Sequence, residues 1–425
     1  MLKGKLGNIF NRKDIRTVSG NFIYLSILNG LNILLPLITL PYILKIVGEG
    51  NYGIYSYVYS VIQIVIIFST YGFNFSATKL ISECRDNKEK VNSIYNAVIA
   101  SKLLIAILLS LLIFLFSKFV FKDERAPLMF LGGLGMVLGD IFTPVWLFQG
   151  MEKMKYLTIV NASSKILFTI LVFLVVKESG DYVLIILLNS AGYILAGLMS
   201  IVLASKQFGM RLRVCSIEDV KFQLKDGSAV FGSTFGMYLY RNANIIILKQ
   251  LAPNEVVGLY SAAEKVIKGF QSLISPLAQA LFPNLSQRFK KASEVENLKL
   301  LRRISLPFAG MVLIVSGMVY LFAPWISDLL CGAEFRECVP LIRIMSLVIL
   351  FGEINYLIGL VGLVNLNRSN QFFRSVLITG VFSVAFIIIF AVKYGAYAAA
   401  ASMSCSEMLL TILCLAVLIR IKKRI

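Results

Sequence analysis

The sequence predicts an all-α, polytopic membrane protein in which twelve transmembrane helices form two pseudo-symmetric six-helix lobes around a central cavity. Three observations predict this fold. Apolar residues make up 58% and charged residues 15% of the chain, against roughly 45–50% and 25% in soluble domains. Apolar runs of helical length recur from one end of the chain to the other. The two halves of the chain also repeat a short pattern at matched positions.

The helices are predicted from apolar runs that are long enough to cross about 30 Å of hydrocarbon. These runs lie at 20–46, 54–82, 92–120, 126–149, 156–176, 182–205, 228–250, 257–287, 303–329, 339–366, 371–392 and 395–419. A long polar stretch follows the sixth run. It predicts an N-terminal lobe at 1–205, a cytoplasmic connecting segment at 206–227 and a C-terminal lobe at 228–425.

The repeated pattern lies at the first hairpin of each half. Residues 43–57 read ILKIVGEGNYGIYSY, and residues 247–262 read ILKQLAPNEVVGLYSA. We expect Lys45 to be equivalent to Lys249, and Tyr55 to Tyr260. Six spans separate the copies, so both have the same orientation in the membrane. Parallel repeats of this kind are related by an axis along the membrane normal, and transporters bind substrate between them.

The positions of the lysines and arginines predict the orientation. Connections on one side of the predicted spans carry 27 of them, and connections on the other side carry eight. Positively charged loops stay in the cytoplasm, so both termini are predicted to be cytoplasmic. The net charge of +19 is then explained by contact with anionic membrane lipids, and we expect no nucleic-acid partner.

Two absences exclude classes of function. The chain has no histidine, so chemistry that depends on a histidine base, nucleophile or metal ligand is excluded. The six cysteines form no Cys-x-x-Cys pair, so we expect no metal site and no cofactor. Cys331 and Cys338 share a short outer connection, and the sequence leaves open whether they form a disulfide or remain free thiols. The predicted outer loops are short, which argues against a membrane enzyme.

Four stretches carry a resemblance to a known family. They are LLPLITLPYIL at 34–44, STYGFNFSATKLIS at 69–82, TPVWLFQGMEKMKY at 143–156 and VGLYSAAEKVIKGFQSLISPLAQALFPNLS at 257–286. They resemble the O-antigen and polysaccharide repeat-unit flippases of the Wzx type, within the multidrug/oligosaccharidyl-lipid/polysaccharide exporter superfamily. The resemblance extends over nearly the whole chain.

The resemblance implies a flippase of the cytoplasmic (inner) membrane. Its cargo would be an undecaprenyl-diphosphate-linked oligosaccharide, moved from the cytoplasmic to the outer leaflet by alternating access. An H⁺ or Na⁺ counter-ion, a polysaccharide polymerase and chain-length proteins are the partners implied besides membrane lipids. The alternative is a multidrug or cation antiporter of the same superfamily, for which we would expect acidic rather than basic residues in the cavity.

Deep cations are the candidate residues for the diphosphate. Arg241 lies about 20 Å from the cytoplasmic start of its span, and Lys265 and Lys268 lie about 12–16 Å from the outer start of theirs. Glu264 stands four residues before Lys268 and can neutralise it. We expect the remaining charge to bind the diphosphate, with Lys165 as a further candidate. A closed structural network that includes Glu264 and Glu353 is the alternative.

Three deep carboxylates are candidates for ion coupling, because buried carboxylates in membranes are costly. They are Asp140, Glu353 and Glu407. A static ion pair with Lys102 or Lys165 is an equally open explanation for them.

Overall fold

The computed structural model describes residues 12–289, 293–332, 335–366 and 368–424. Within these ranges the side chains of 12–29, 32–33, 229–230, 232–241, 275–288 and 422–424 are not described. The helices are α1 Arg12–Thr70, α2 Phe73–Glu83, α3 Lys88–Leu115, α4 Ser117–Val120, α5 Ala126–Ile141, α6 Val145–Gly150, α7 Met154–Val175, α8 Tyr182–Phe208, α9 Ile217–Leu251, α10 Asn254–Phe289, α11 Glu294–Leu321, α12 Ala323–Leu330, α13 Cys338–Asn355, α14 Ser369–Tyr394 and α15 Ala396–Arg424. A 3₁₀ turn at Ser179–Asp181 precedes α8, and a π-helix at Tyr356–Leu363 continues α13.

The predicted fold class is confirmed. The ordered elements of the described residues are all helical, and each of the twelve apolar runs lies on helix. Nine segments of the described chain are long and apolar enough to cross a membrane, and the first of them, Leu34–Glu83, is 50 residues long. The protein is therefore a multi-pass membrane protein. The count of twelve spans stays a prediction.

Several predicted helix boundaries were wrong, and proline or capping explains three of them. The run 126–149 is divided into α5 and α6, where Pro144 precedes the second helix, because proline has no N–H to donate. The run 303–329 is divided into α11 and α12, with a proline in the first turn of α12. α9 begins at Ile217 instead of 228, and the Ser216 hydroxyl accepts the Asp219 amide N–H at 3.1 Å.

The first two predicted runs meet at a single residue. α1 contains the first run and the second run as far as Thr70, and the second run continues in α2 after a turn at 71–72. Inside α1, Gly48 departs from helical geometry, with φ 75° and ψ 169°. This left-handed φ suits glycine, which carries no Cβ. The hairpin predicted between residues 46 and 54 is thus a one-residue break.

The chain divides into two compact units. The first unit contains residues 1–35, 61–175 and 183–232. Its α5 and α8 pack with their backbones almost in contact, since a Cβ on Gly139 would lie 2.2 Å from the Tyr193 carbonyl oxygen. The connection before α9 is held on α3, where Asn92 and Asn96 accept the amide N–H groups of Arg211 and Arg213, each at 2.8 Å.

The second unit contains residues 36–60, 176–182 and 233–425. α13 is its central helix and contacts α10, α11, α12 and α15. The π-helix that follows α13 packs closely on α14, since a Cβ on Gly359 would lie 2.4 Å from the Phe372 ring. π-helical segments are frequent at functional sites.

The units differ from the predicted division at several places, since residues 176–182 also belong to the second unit and residues 206–232 belong to the first. Residues 36–60, which the sequence assigns to the N-terminal lobe, form contacts within the second unit. These residues include the first copy of the repeated hairpin. The boundaries 1–205, 206–227 and 228–425 stay a prediction.

Candidate functional site

One face of α10 carries a row of polar side chains one helical turn apart. The Lys268 ammonium lies 3.1 Å from Glu264 Oε1, and the Tyr260 hydroxyl donates to the same oxygen at 3.4 Å. Glu264 and Tyr260 are buried, whereas the Lys268 side chain is 40% exposed. The i,i+4 pair expected between Glu264 and Lys268 is therefore present.

α9 supplies amide groups to this row. Lys268 Nζ donates to Asn242 Oδ1 at 3.4 Å, and Asn244 Nδ2 donates to the Tyr260 hydroxyl at 3.3 Å. Arg241 precedes Asn242 on α9, and its side chain lies outside the described residues. We name the cluster of Asn242, Asn244, Tyr260, Glu264 and Lys268 the α10 polar row.

Lys265 is the residue that follows Glu264 on α10. Its ammonium is 5.9 Å from the ring centroid of Tyr52, within range for a cation–π interaction. Tyr52 belongs to the second half of α1 and is almost fully buried. Lys265 and Lys268 thus have different surroundings, one against an aromatic face and one beside a carboxylate.

Two of the candidate carboxylates for ion coupling, Glu353 and Glu407, lie in the second unit. Glu407 is fully buried on α15 and accepts a hydrogen bond from Asn355 Nδ2 at 2.7 Å. Thr411, one turn later, donates to Asn355 Oδ1 at 2.8 Å. Glu353, two residues before Asn355, is also buried. These residues adjoin the start of the π-helix.

Asp140 has a different environment in the first unit. The Lys102 ammonium lies 2.7 Å from Asp140 Oδ2 and 3.0 Å from the Asp140 carbonyl oxygen. The same ammonium is 5.2 Å from the ring centroid of Trp146. Lys102 is 2% exposed. Of the two explanations that the sequence leaves open for Asp140, this geometry favours the static ion pair.

Lys165 lies at the middle of α7 and is half-buried. It belongs to the first unit, and Lys265 and Lys268 belong to the second. Its role in binding a diphosphate stays a prediction. Among the residues that the structure describes, no group of three or more His, Cys, Asp or Glu side chains could hold a metal ion.

Two helices cross closely at the repeated hairpins, a contact that was not predicted from the sequence. A Cβ on Gly53 would lie 2.0 Å from the Asn254 carbonyl oxygen, and a Cβ on Gly258 would lie 2.0 Å from the Glu49 carbonyl oxygen. Gly53 therefore packs on Asn254, four residues before Gly258, and Gly258 packs on Glu49, four residues before Gly53. We call this contact the glycine crossing.

The glycine crossing could have been found in the repeat. Gly53 and Gly258 stand two residues before the tyrosines that the repeat matches, so both copies contain the glycine at one position. Helices that approach this closely need residues without a Cβ. The reciprocal contact supports the equivalence of the two hairpins, although Lys45 is exposed and Lys249 is buried. Lys249 binds Asn254 Oδ1 in the second hairpin.

Comparison with known proteins identifies the family. A family model described as "Polysaccharide biosynthesis protein" matches residues 18–289. The chain belongs to this family. Two proteins named "Putative O-antigen transporter" are similar to it. That of Escherichia coli (strain K12) is 28% identical over 398 residues, covering 93% of this chain and 95% of the relative. That of Shigella dysenteriae is 28% identical over 316 residues, covering 74% of this chain and 78% of the relative.

Solved structures share the fold of this family member. The lipid II flippase MurJ in an inward closed conformation has a TM-score of 0.73 at 16% identity, covering 92% of this chain and 87% of that chain. A multidrug resistance transporter of the MATE family, in an inward-facing conformation, has a TM-score of 0.70 at 12% identity. The match covers 91% of this chain and 98% of that chain. These likenesses confirm the fold of the superfamily that the sequence resembles.

Proposed function

We propose that the protein is a flippase that moves an undecaprenyl-diphosphate-linked oligosaccharide from the cytoplasmic to the outer leaflet of the inner membrane. The relatives named as O-antigen transporters support this cargo. A diphosphate with a glycan cannot cross hydrocarbon unaided, because each unpartnered polar group costs several kcal/mol there. The protein would supply polar partners for the head group while the prenyl tail stays in lipid. The cargo is released unchanged, so the protein is not an enzyme.

The observation that carries the proposal is the position of Lys268. Its partner Glu264 is buried, but Lys268 itself is 40% exposed. An ammonium group has three N–H donors; Glu264 and Asn242 accept two of them in this structure. The third can bind a phosphate oxygen. We propose that Arg241, Lys265 and Lys165 join Lys268 in binding the diphosphate at successive stages of the cycle.

The glycine crossing is proposed to close the outer side while cargo enters from the cytoplasm. The lysine and arginine distribution predicts that both hairpins lie on the outer side and both termini in the cytoplasm. For cargo to leave, the backbones at Gly53 and Gly258 would separate. Gly258→Ala would put a methyl group 2.0 Å from a carbonyl oxygen, so we expect transport to fall because the crossing cannot close. Gly310→Ala is the matched control, since a Cβ there meets nothing within 4 Å.

Ion coupling is proposed for Glu353 and Glu407, while Asp140 is assigned to the ion pair with Lys102. Both glutamates are buried beside the π-helix. Replacement of either by Gln should remove the dependence of transport on an H⁺ or Na⁺ gradient while protein remains in the membrane. A gradient dependence that survives both replacements would exclude them. Polymerase and chain-length proteins are the proposed partners that receive the flipped cargo.

Deletion of the gene in its own host tests the proposal. We expect loss of surface polysaccharide and accumulation of the lipid-linked oligosaccharide, both restored by the wild-type gene. Lys268→Gln should not restore them, and Lys225→Gln, a change at an exposed lysine of α9, should. The buried glutamates would also suit the antiporter alternative. Unchanged surface polysaccharide together with a rise in susceptibility to cationic drugs would overturn the flippase and favour the antiporter.

A further inference from the structure

The corner between α12 and α13 brings two cysteines together. Gly332 adopts a left-handed φ of 104°, and its amide N–H donates to the Ser327 carbonyl at 3.0 Å. The chain then turns back, since the Phe335 amide donates to Gly332 and the Cys338 amide donates to Phe335. Ser327 Oγ donates to the Phe335 carbonyl at 3.2 Å, which closes the corner. Residues 333–334 lie outside the described part.

The two cysteines stand at the two ends of this corner. Cys331 is the C-cap of α12 and Cys338 is the first residue of α13. Both are fully buried free thiols. The Ser327 carbonyl accepts the Cys331 amide N–H, and the Phe335 carbonyl accepts both the Ser327 hydroxyl and the Cys338 amide N–H, so Ser327 holds the backbones of both cysteines together. The Cys338 thiol also lies 3.7 Å from the Leu259 carbonyl oxygen of α10. Leu259 follows Gly258, so the cysteine pair lies beside the glycine crossing.

The compartment favours oxidation of this pair. The lysine and arginine distribution places the α12–α13 corner on the outer side of the membrane. Disulfides form and persist outside the cytoplasm, where thiols are not kept reduced. The hydrogen bonds of the corner already bring the backbones of the two cysteines together, so the bridge can form without unfolding α12 or α13.

We propose that Cys331 and Cys338 form an intramolecular disulfide in the cell. The oxidant is a thiol–disulfide oxidase of the outer compartment. One cysteine thiolate attacks the oxidase disulfide, and a mixed disulfide forms. The second thiolate displaces the oxidase sulfur. The two cysteines lose two protons and two electrons, and the oxidase disulfide becomes a dithiol.

Burial determines when this reaction occurs. A bulky oxidase cannot reach two fully buried thiols, so oxidation precedes the packing of the corner against α10. For the same reason, reductant should reach the finished bridge poorly until the protein is unfolded. The bridge would then fix the corner against the outer end of α10 throughout the transport cycle.

Thiol counting on the wild-type chain tests the proposal without any substitution. Cells are quenched in acid, and the protein is denatured and treated with a maleimide polymer, with or without prior reduction. The chain has six cysteines. We expect six additions after reduction, but only the four outside the corner to react without it. Six additions without reduction would overturn the proposal, as would a bridge seen only after a chemical oxidant is added.

Two further measurements identify the bridge. Mass spectrometry of a non-reduced digest should find the peptides of Cys331 and Cys338 joined, and a bridge to any other cysteine would contradict the proposal. Cys331→Ser should add one reactive thiol, that of Cys338, without reduction. Cys84→Ser is the matched control and should remove one reactive thiol and leave the bridge intact. In a host without the thiol–disulfide oxidase, all six thiols should react.

Discussion

Two lysine–carboxylate pairs, one in each unit, have opposite burial. In the first unit the cation is the buried partner, since Lys102 is 2% and Asp140 24% exposed. In the second unit the anion is the buried partner, since Glu264 is 5% and Lys268 40% exposed. The ammonium–carboxylate distances are similar, 2.7 Å and 3.1 Å. Burial, and not the presence of an ion pair, distinguishes them.

The donors of each ammonium group explain what this difference means. Lys102 donates to the Asp140 carboxylate and carbonyl, its ammonium lies 5.2 Å from the centroid of the Trp146 ring, and its side chain is 2% exposed. Lys268 has two acceptors and a surface open to solvent or ligand. A lysine that is fully enclosed stabilises the fold, whereas a lysine that is partly enclosed can exchange one partner for a phosphate.

The largest effect is expected when the enclosed pair is broken. Lys102→Ala leaves the Asp140 carboxylate without its cation, and removal of one partner of a buried pair costs about 3–5 kcal/mol. We expect a large fall in the midpoint of thermal unfolding in detergent and in the amount of monodisperse protein. The double variant Lys102→Met, Asp140→Asn removes both charges and should regain much of the loss. A single variant as stable as the wild type would show that the pair is dispensable.

A smaller loss is expected from Glu264→Gln. Glutamine keeps an acceptor for Tyr260 but removes the charge that balances Lys268. A buried group with an imperfect partner costs about 1–3 kcal/mol. We expect a moderate fall in the unfolding midpoint, together with tighter binding of a short-chain prenyl diphosphate to the purified protein. Glu83→Gln, at the exposed end of α2, is the matched control. Weaker diphosphate binding would contradict a cationic role for this row.

Lys268→Gln should separate function from stability. Glutamine can still donate a hydrogen bond to Glu264, which also accepts one from Tyr260, so the unfolding midpoint should fall less than in Lys102→Ala. Loss of one charge-assisted hydrogen bond of about 1.5–3 kcal/mol corresponds to a roughly 10- to 150-fold weaker binding of the diphosphate. Titration with the short-chain prenyl diphosphate measures this change. Unaltered affinity, or an unfolding midpoint as low as that of Lys102→Ala, would place Lys268 with the structural pair.

The sequence predicted one of these pairs directly and offered the other only as one of several alternatives. Glu264 and Lys268 are four residues apart on one helix, and helical geometry alone brings such residues together. Lys102 and Asp140 lie on α3 and α5, so their contact depends on how two helices pack. The same distinction applies to the fold. Composition and apolar runs predicted the helices. The glycine crossing depends on tertiary packing, and only the glycine shared by the two copies of the repeat points to it.

The smallest effect is expected at an exposed pair, which provides the reference for the other two. Arg85 and Glu152 are 2.8 Å apart with side chains 35% and 52% exposed, and such pairs contribute at most about 1 kcal/mol. Glu152→Gln should therefore lower the unfolding midpoint slightly at low ionic strength. At about 1 M salt the screening length is about 3 Å, so this small difference should disappear.

The deficit of Lys102→Ala should persist in the same salt, because water and ions do not reach an enclosed charge. Thermal unfolding of both variants across a salt series measures this contrast. Equal sensitivity to salt would show that the Lys102–Asp140 pair is solvated, and the distinction between an enclosed and an open lysine would fail.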